Sequence, residues 1–370
     1  MARRYRILSA AGIVVALALV SLAIALSHDS SCPATAPAVA ATDRMQAVVY
    51  RCYGPPDVLQ LEALPKPTPA DNEVLVKVHA AALNPLDWHY MRGKPYFMRL
   101  GMGMGMGSPT DIRMGVDFAG TVQSVGSKVS RFKPGDEVFG GRSGALAEYV
   151  SVREAGAIAL KPANLTFEQA AAVPLAAITA LQAIRNEGRV QPGQKVLVNG
   201  ASGGVGTFAV QIAKAYGAEV SGVCSTRNLE LVRSLGADHV FDYTKEDFTQ
   251  SGQQFDVIVD NVGTYSLSAY RRVLKPAGKV VMVGAISDDP WIGPMIQPLK
   301  GSLYSPFVSQ TFSMFLAEFN QQDMEFLGKL VQEGKMTPVI DRTYALADIA
   351  EAMHHLEAGH ARGKVVVKVE

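Results

Sequence analysis

Hydrophobic and polar positions follow three different patterns along the chain. Residues 7–26 are twenty positions without a charge, and three arginines precede them. From residue 45, stretches such as MQAVVYRCYG and NEVLVKVHAAAL carry β-branched residues in partial alternation, which is typical of strands. Beyond residue 165, short Val-rich runs alternate with helical patterns. The chain is therefore predicted to contain an N-terminal hydrophobic helix, a β-rich domain and an α/β domain.

The apolar run at 7–26 is long enough to cross a bilayer as a helix. We therefore expect residues 1–27 to be a transmembrane anchor or signal segment, and the Pro/Ala-rich residues 28–44 to be a linker. Anchoring to a membrane through this helix is the first interpretation. Two others remain open: cleavage of the segment followed by export, or translation from Met45, which places the protein in the cytoplasm.

Two domains are expected after the linker. Residues 45–175 contain short strands without helices between them, which indicates an antiparallel, barrel-like domain. Residues 176–320 follow a βαβ order, with KVLVNG and EVSGVC as strands and VGTFAVQIAKAYG as a helix. Since such Val-rich strands are typical of a parallel sheet covered on both faces, a doubly wound nucleotide-binding sheet is predicted. The local pattern of residues 321–370 does not decide which domain they join.

Charge and cysteine content argue against several classes of protein. The formal net charge is +1 with no long run of one sign, so nothing indicates nucleic-acid binding. Cys32, Cys52 and Cys224 are far apart in sequence and form no CxxC pair. This spacing argues against a disulfide framework and against a structural zinc site.

A glycine-rich loop lies between the first strand and the first helix of the βαβ pattern. Its sequence is VNGASGGVGTF, with glycines at 203, 204 and 206. Glycines at these positions allow a tight turn and a close approach of the backbone to a pyrophosphate, which then rests on the free N–H groups of the helix N-terminus. Because the loop follows a strand and opens a helix, it predicts a dinucleotide site.

The end of the second strand distinguishes NADP(H) from NAD(H). An NAD site places a carboxylate there to bind the ribose 2′-hydroxyl, whereas this chain has Ser225, Thr226 and Arg227. A hydroxyl and a guanidinium suit a 2′-phosphate, which a carboxylate would repel. Tyr243, just after the next strand, is placed to cover the adenine or to contact that phosphate. The sequence therefore predicts NADP(H).

Three stretches resemble the medium-chain dehydrogenase/reductase superfamily: GVDFAGTVQSVGSKVSRFKPGDEVFG, VLVNGASGGVGTFAVQIAKAYGAEV and HARGKVVVKV. Within it, they are similar to the zinc-independent quinone oxidoreductase branch of NAD(P)-dependent, alcohol dehydrogenase-like proteins. The resemblance covers residues 45–370. It implies a GroES-like catalytic domain at 45–175, a Rossmann NADP-binding domain at 176–320, and a segment at 321–370 that returns to the catalytic domain.

The resemblance also implies a set of cofactor-binding residues around a cleft between the two domains. Thr179 would contact the phosphate or nicotinamide end of the cofactor, and the pyrophosphate would lie against Gly203, Gly204, Val205 and Gly206. The 2′-phosphate would be bound by Ser225, Arg227 and Tyr243, and the nicotinamide ribose by Asn261, Gly263, Val283 and Gly284. The outer side of the cofactor would be covered by Arg362 and Lys364.

The motifs that supply zinc ligands in the superfamily's zinc alcohol dehydrogenases differ here. Those enzymes carry a cysteine, then GHE, then a further cysteine; this chain has Asn84 near the first position and Asp117 in place of the HE pair. A catalytic zinc needs three protein ligands, so no metal is expected. The alternative is a zinc site rebuilt from His79, Asp87 and His89.

The stretch NPLDWHYMRG supplies the candidate catalytic residues. Asn84 is expected to hold the nicotinamide carboxamide or the substrate carbonyl, and Asp87 to orient it. The alternative is that both residues brace a turn after a strand. His89 stands where the branch often has a tyrosine, which makes it a candidate proton donor. Tyr90 or solvent are the other candidates.

Hydride transfer to a quinone or an α,β-unsaturated ketone follows as the leading prediction, because the enolate or hydroquinone anion formed needs only hydrogen bonds and a proton. Two alternatives remain. One is a metal-free NADP-dependent carbonyl or alcohol oxidoreductase. The other is a membrane-tethered NADPH-binding sensor or scaffold with little turnover. A homodimer that pairs the edges of two Rossmann sheets is also expected from the resemblance.

Overall fold

The N-terminal residues form a helix. The computed structural model describes residues 2–33, 43–101, 104–284 and 289–369, with side chains from residue 15 onward. Helix α1 spans Ala2–Ser27. Within these ranges, no helix combines the length and the apolar character that crossing a membrane requires. The predicted transmembrane anchor is therefore not supported, and most of the predicted linker (34–42) lies outside the described residues.

The first domain after α1 is built from antiparallel strands. Strands β1 and β2 form a two-stranded sheet, and β3 to β7 belong to a larger one. The elements are β1 Arg44–Val49, β2 Gln60–Pro65, β3 Glu73–Leu83, α2 Pro85–Arg92, β4 Asp117–Val125, β5 Glu137–Gly141, β6 Tyr149–Arg153 and β7 Ile158–Leu160.

A parallel sheet with helices between its strands follows. Its elements are α3 Phe167–Ala171, α4 Pro174–Gln182 with a π-helical extension Ala183–Gly188, β8 Lys195–Asn199, α5 Gly204–Ala215, β9 Glu219–Cys224, α6 Leu229–Ser234, β10 His239–Asp242, β11 Phe255–Asp260, α7 Leu267–Val273, β12 Leu274–Met282, α8 Ile296–Tyr304 and β13 Thr311–Met314. The strand order β10-β9-β8-β11-β12-β13 is that of a doubly wound dinucleotide-binding fold. The predicted α/β class, with its Rossmann sheet, is confirmed.

The C-terminal strands lie in the sheet of the first domain. The segment contains α9 Gln321–Gln332, β14 Ile340–Ala345, α10 Ile349–Glu357 and β15 Lys364–Lys368. β15 pairs antiparallel with β3, with Val365 opposite Leu83, and β14 adds to its other side. The resulting seven-stranded sheet has the path β14-β15-β3-β4-β5-β7, and β6 pairs with β3.

One hydrophobic cluster continues from the first domain into the second. It contains Phe139 of β5, Ala171 of α3, Ala177 of α4, Val198 of β8 and Ala209 of α5, all buried. Small alanine side chains let α4 and α5 lie close to their neighbours. The glycine loop at the end of β8 is therefore held at a fixed place relative to the antiparallel sheet.

The chain contains a disulfide, so the prediction from cysteine spacing was wrong on this point. Cys32 and Cys52 form a disulfide with a Cα–Cα distance of 4.9 Å, and Cys224 is free and buried. Strand β1 ends shortly before Cys52, and its path places Cys52 beside the segment that follows α1 and contains Cys32. The two cysteines are 20 residues apart in sequence, and this spacing does not indicate that the fold brings them together.

Candidate functional site

The glycine loop has the geometry that its sequence predicts. β8 ends at Asn199, Gly203 precedes the first turn of α5, and α5 begins at Gly204. A Cβ atom on Gly206 would collide with the backbone of Gly200 and Ala201, so only glycine fits there. The helix N-terminus with its free N–H groups is thus available for a pyrophosphate.

The C-terminal segment is bonded directly to this loop. The N–H of Gly363 donates to the carbonyl oxygen of Ser202 at 2.9 Å, and Gly363 forms an isolated β-bridge with Gly203. Gly363 has a φ of +91°, in the left-handed region. Arg362 is exposed at the turn just before it. The predicted outer cofactor residues therefore lie beside the predicted pyrophosphate loop.

The three residues predicted to bind the 2′-phosphate come together. A cleft of about 340 Å³ is lined by Ser225, Thr226, Arg227, Tyr243, Thr244 and His360. Parallel pairing of β9 with β10 brings the residues after their carboxyl ends to one place, since Asp242 lies opposite Cys224. Two further residues of the cleft, Thr244 and His360, were not predicted from the sequence. Thr244 is the neighbour of the predicted Tyr243, whereas no motif in the sequence around His360 indicates that it lies here.

The cleft has an uncompensated positive charge. The Arg227 guanidinium donates to the carbonyl oxygen of His360 at 2.7 Å, and no carboxylate pairs with it among the described residues. The nearby Asp242 has its pKa lowered to about 2, first by the hydrogen bond from the Thr226 hydroxyl and further by Thr244. Because its oxygens already accept these bonds, Asp242 organises the cleft walls, and Arg227 remains available to an anion.

The turn after β11 is organised by a buried carboxylate. Asp260 Oδ1 accepts from the N–H groups of Val262 and Gly263 at 3.1 and 3.0 Å, and its Oδ2 accepts from the Tyr270 hydroxyl at 2.5 Å. Burial raises the pKa of Tyr270, which keeps the hydroxyl protonated as a donor. The backbone oxygen of Asp260 also accepts from the N–H of Val283 at 2.8 Å. The predicted nicotinamide-ribose residues, which directly follow β11 and β12, are thus neighbours.

A polar atom in this turn lacks a partner. Asn261 Nδ2 donates to the carbonyl oxygen of Asn199 at 2.8 Å, whereas Asn261 Oδ1 is buried and has no hydrogen-bond partner among the described residues. A Cβ atom on Gly284 would come within 2.9 Å of the Asn261 carbonyl oxygen. An unsatisfied acceptor beside a glycine fits a bound polar ligand such as a ribose.

Thr179 lies in α4, half-buried. Its hydroxyl donates to the carbonyl oxygen of Leu175 at 2.7 Å, one turn earlier. The backbone N–H of Leu175 in turn donates to Asp117 Oδ1 at 2.9 Å. The start of α4 is therefore attached to Asp117, the residue that stands in place of the HE pair.

Asn84 and Asp87 brace the start of α2, as the alternative interpretation held. The N–H of Asn84 donates to Asp87 Oδ2 at 2.7 Å, in a capping box. Both side chains are buried. Burial raises the pKa of Asp87 to about 7, with a further contribution from the charge of Asp117. A structural role and a role at the site are compatible here, because helix α2, which these residues cap, also carries His89.

The Asn84 side chain is held by two charged groups. Its Nδ2 donates to Asp117 Oδ2 at 2.9 Å, and its Oδ1 accepts from Lys364 Nζ. Lys364 Nζ also lies 3.2 Å from Asp117 Oδ2, with both side chains essentially inaccessible. Burial raises the pKa of Asp117, and the Lys364 ammonium opposes that shift. Lys364, which the family resemblance places over the cofactor, thus forms a buried triad with Asn84 and Asp117 that no sequence motif predicts.

His89 is less suited to proton donation than expected. Its Nδ1 lies 2.9 Å from the carbonyl oxygen of Lys94, so Nδ1 carries the proton and donates it to that acceptor. Burial lowers the pKa of His89, and the ring stacks on Trp88 at 3.8 Å. A neutral ring in this tautomer presents Nε2 as an acceptor at neutral pH.

The residues in place of the zinc ligands do not fit a metal. Asn84, Asp117 and Lys364 form a bonded unit in which the Lys364 ammonium pairs with the Asp117 carboxylate. Across the described ranges, no group of three His, Cys, Asp or Glu side chains is arranged to hold a metal ion. The rebuilt zinc site of His79, Asp87 and His89 is therefore not assembled there.

The chain matches two family models that follow the two halves of this architecture. Residues 70–162 match the alcohol dehydrogenase GroES-like domain, and residues 235–367 match the model described as zinc-binding dehydrogenase.

Relatives and solved structures agree with these matches. The chain is 36% identical to 2-methylene-furan-3-one reductase of Solanum lycopersicum, over 94% of this chain and 84% of that protein. It is 37% identical to the chloroplastic NADPH-dependent alkenal/one oxidoreductase of Arabidopsis thaliana, over 94% and 83%. The quinone oxidoreductase structure from Coxiella burnetii superposes with a TM-score of 0.76 at 33% identity, covering 89% of this chain and 100% of that one.

Together, the fold and site define an oxidoreductase built from a GroES-like domain and a Rossmann domain. The chain belongs to the medium-chain dehydrogenase/reductase superfamily, in its zinc-independent, quinone oxidoreductase-like branch, as the sequence motifs predicted.

Proposed function

We propose that the protein is an NADPH-dependent oxidoreductase that transfers hydride to a quinone or an α,β-unsaturated ketone. The observation that carries the proposal is the direct bonding of the glycine loop, through Gly363 and Lys364, to the buried Asn84–Asp117 pair. The segment of Gly363 and Lys364 therefore contacts both the predicted dinucleotide site and the buried polar cluster of Asn84 and Asp117. The names of two relatives, the 2-methylene-furan-3-one reductase of Solanum lycopersicum and the NADPH-dependent alkenal/one oxidoreductase of Arabidopsis thaliana, support the substrate class.

Residues of this chain would hold the cofactor at both ends. Ser225, Arg227 and Tyr243 would bind the 2′-phosphate in their cleft, and the glycine loop would bind the pyrophosphate. Asn261 Oδ1, which has no partner in the described part of the chain, would accept a hydrogen bond from the nicotinamide ribose. NADPH supplies the hydride when bound. Since the adenosine end of the cleft carries Arg227 and no carboxylate follows β9, NADPH is preferred over NADH.

The substrate side of the site acts through hydrogen bonds and fixed charge. Hydride addition to carbon of a conjugated carbonyl leaves negative charge on oxygen, which hydrogen-bond donors and a nearby cation stabilise. The protonated Nδ1 of His89 is already used by Lys94, so the proton that completes the reduction comes from solvent or from Tyr90. Asn84 and Asp87 cap and orient helix α2, which carries His89 and Tyr90.

Turnover of the purified full chain tests the function. NADPH or NADH is mixed with 1,4-benzoquinone, 9,10-phenanthrenequinone, an alkyl enone or a simple aldehyde, with a chelator present, and loss of reduced-cofactor absorbance is followed. We expect NADPH-selective turnover of a quinone or the enone. Turnover of the aldehyde alone would indicate a carbonyl reductase, and tight NADPH binding without turnover would indicate a sensor or scaffold. Either result rejects the proposal.

A second copy of the chain is proposed as the partner of the Rossmann sheet edge. β13 is the outermost strand, and Leu303 and Phe307 beside it are 74% and 83% exposed. Unpaired edges next to exposed apolar side chains are sites of association. Light scattering should show a dimer that Phe307→Glu dissociates, whereas Leu160→Glu, at an exposed leucine of β7, leaves it intact. A wild-type monomer at micromolar concentration would refute the proposal.

A further inference from the structure

A buried ion pair joins three parts of the chain at the site. Asp117 begins β4, Asn84 follows β3, and Lys364 begins β15. The side chains of Lys364 and Asp117 are 3% and 0% exposed. The residue before Lys364 is bonded to the glycine loop through Ser202. The pair therefore connects the predicted pyrophosphate loop with the turn that carries the candidate catalytic residues.

Stability alone does not account for this pair. Desolvation of two charges costs as much free energy as their attraction returns, and well-packed apolar residues often replace such pairs without loss. The two charged groups instead fix the orientation of the Asn84 side-chain amide. Lys364 donates to Oδ1 of Asn84 while Asp117 accepts from Nδ2, so the amide of Asn84 has one allowed orientation.

The alkyl chain of Lys364 reaches the same loop. A Cβ atom added to Gly204 would lie 3.2 Å from Lys364 Cδ, so the Lys364 side chain runs beside the first residue of α5. The side chain thus passes the glycine loop before its ammonium reaches Asp117. A change in the position of Lys364 moves both its contact with the loop and its hydrogen bond to Asn84.

We propose that Lys364 is a positioning residue, which acts through Asp117 and Asn84 to align the Asn84–Asp87 turn with the dinucleotide held on the glycine loop. The role rests on the proposed hydride transfer. It differs from a direct contact with the cofactor, since it requires both partners of the ion pair and the charge itself.

The test uses the full chain with four variants: Lys364→Met, Lys364→Arg, Asp117→Asn and the double variant Lys364→Met/Asp117→Asn. Lys368→Met is the matched control, because Lys368 ends the same strand and forms an exposed pair with Glu168 at 3.1 Å. Three quantities are measured for each: kcat and KM for the accepted quinone or enone, the NADPH dissociation constant by fluorescence, and the melting temperature.

We expect Lys364→Met and Asp117→Asn to lower kcat by about 10- to 100-fold, with KM for the acceptor changed less than threefold, as for loss of an interaction made in the transition state. Both should melt at lower temperature, since each leaves a buried charge without its opposite charge. The double variant should recover the melting temperature but not kcat. Lys364→Arg should retain more kcat than Lys364→Met. Lys364→Met should weaken NADPH binding severalfold, and Lys368→Met should match the wild type throughout.

Recovery of both kcat and melting temperature in the double variant would show that the pair is only structural. An unchanged kcat in Lys364→Met would also overturn the proposal. If the wild type binds NADPH but reduces none of the acceptors, the proposed function fails separately. The role of Lys364 is then decided by cofactor binding, and an NADPH dissociation constant equal to that of the wild type in Lys364→Met overturns it.

Discussion

Gly363 and Ser202 are joined by a 2.9 Å hydrogen bond between their backbones, although 161 positions separate their numbers. This bond attaches the C-terminal segment to the loop on which a dinucleotide pyrophosphate is expected to rest. Gly363 has a φ of +91°, and a Cβ atom on it would collide with the carbonyl oxygen of Val339. The hydrogen bond to Ser202 therefore depends on a residue without a side chain.

Gly363→Ala should therefore destabilise the fold by about 1–3 kcal/mol and weaken NADPH binding, since an L residue is strained at this φ and its Cβ would meet the Val339 backbone. Gly359→Ala is the matched control: Gly359 has φ +72° but open space around it. Thermal melting and NADPH fluorescence titration measure both effects. Equal behaviour of the two variants would show that backbone strain alone, and not contact with the loop, sets the cost.

Arg227→Ala should weaken NADPH binding by about 10- to 100-fold and leave NADH binding unchanged, because one charge-assisted contact to a phosphate contributes about 1.5–3 kcal/mol. Arg233→Ala is the control, since Arg233 is exposed on the neighbouring helix and pairs with Glu230. Dissociation constants for both cofactors are measured by fluorescence. Parallel loss of NADH affinity would place Arg227 away from the 2′-phosphate.

Asp87→Asn should stabilise the protein increasingly as pH rises from about 4 to 7, relative to the wild type. The folded pKa of Asp87 is raised from 3.8 to about 7, chiefly by burial, so the folded state favours the protonated acid. The stability that the protonated Asp87 side chain contributes to the folded state is fully present below pH 4 and is lost as the pH rises through 7. The difference in unfolding free energy should level off above pH 7 at no more than about 4 kcal/mol.

Urea unfolding of the wild type and Asp87→Asn at pH 5, 6, 7 and 8 measures this difference. Asp71→Asn serves as the control, because Asp71 is exposed and its pKa is lowered by Lys128 and Ser127. A difference that stays constant over this range would mean that Asp87 titrates near its ordinary pKa in the folded protein.

Loss of the Cys32–Cys52 disulfide should loosen the segment that follows α1 without affecting the cofactor site. The Arg99 guanidinium also holds this segment, by bonds to the Leu26 carbonyl at 2.8 Å and to Asp29 at 2.7 Å. We expect Cys32→Ser/Cys52→Ser to lower stability by about 3 kcal/mol on the loop-entropy model. Proteinase K should cleave it faster near residues 28–33, with NADPH affinity unchanged.

Mass spectrometry of the early fragments identifies the cleavage sites. Wild type treated with a reductant should behave like the double variant, and Cys224→Ser, which removes the free thiol, should be cleaved like oxidised wild type. Identical fragments and rates for all forms would show that Arg99 holds the segment without the disulfide.

The sequence by itself determined the features that are local or that follow from strand order. The glycine loop is a contiguous motif between a strand and a helix, and the fold reproduces it. Ser225, Arg227 and Tyr243 are predicted from their chemistry and from their places after two successive strands, and they meet because the carboxyl ends of adjacent parallel strands lie at one edge of the sheet. The family and the α/β architecture follow from the same motifs.

Only the tertiary structure decided what depends on distant contacts. Lys364 meets Asn84 across 280 positions, and Cys32 meets Cys52 through the path of β1. Likewise, the carbonyl of Lys94 fixes the His89 tautomer, and burial sets the pKa of Asp87. A buried charge is stabilised by whichever partner the packed chain brings within hydrogen-bonding distance, and local periodicity carries no information about that partner.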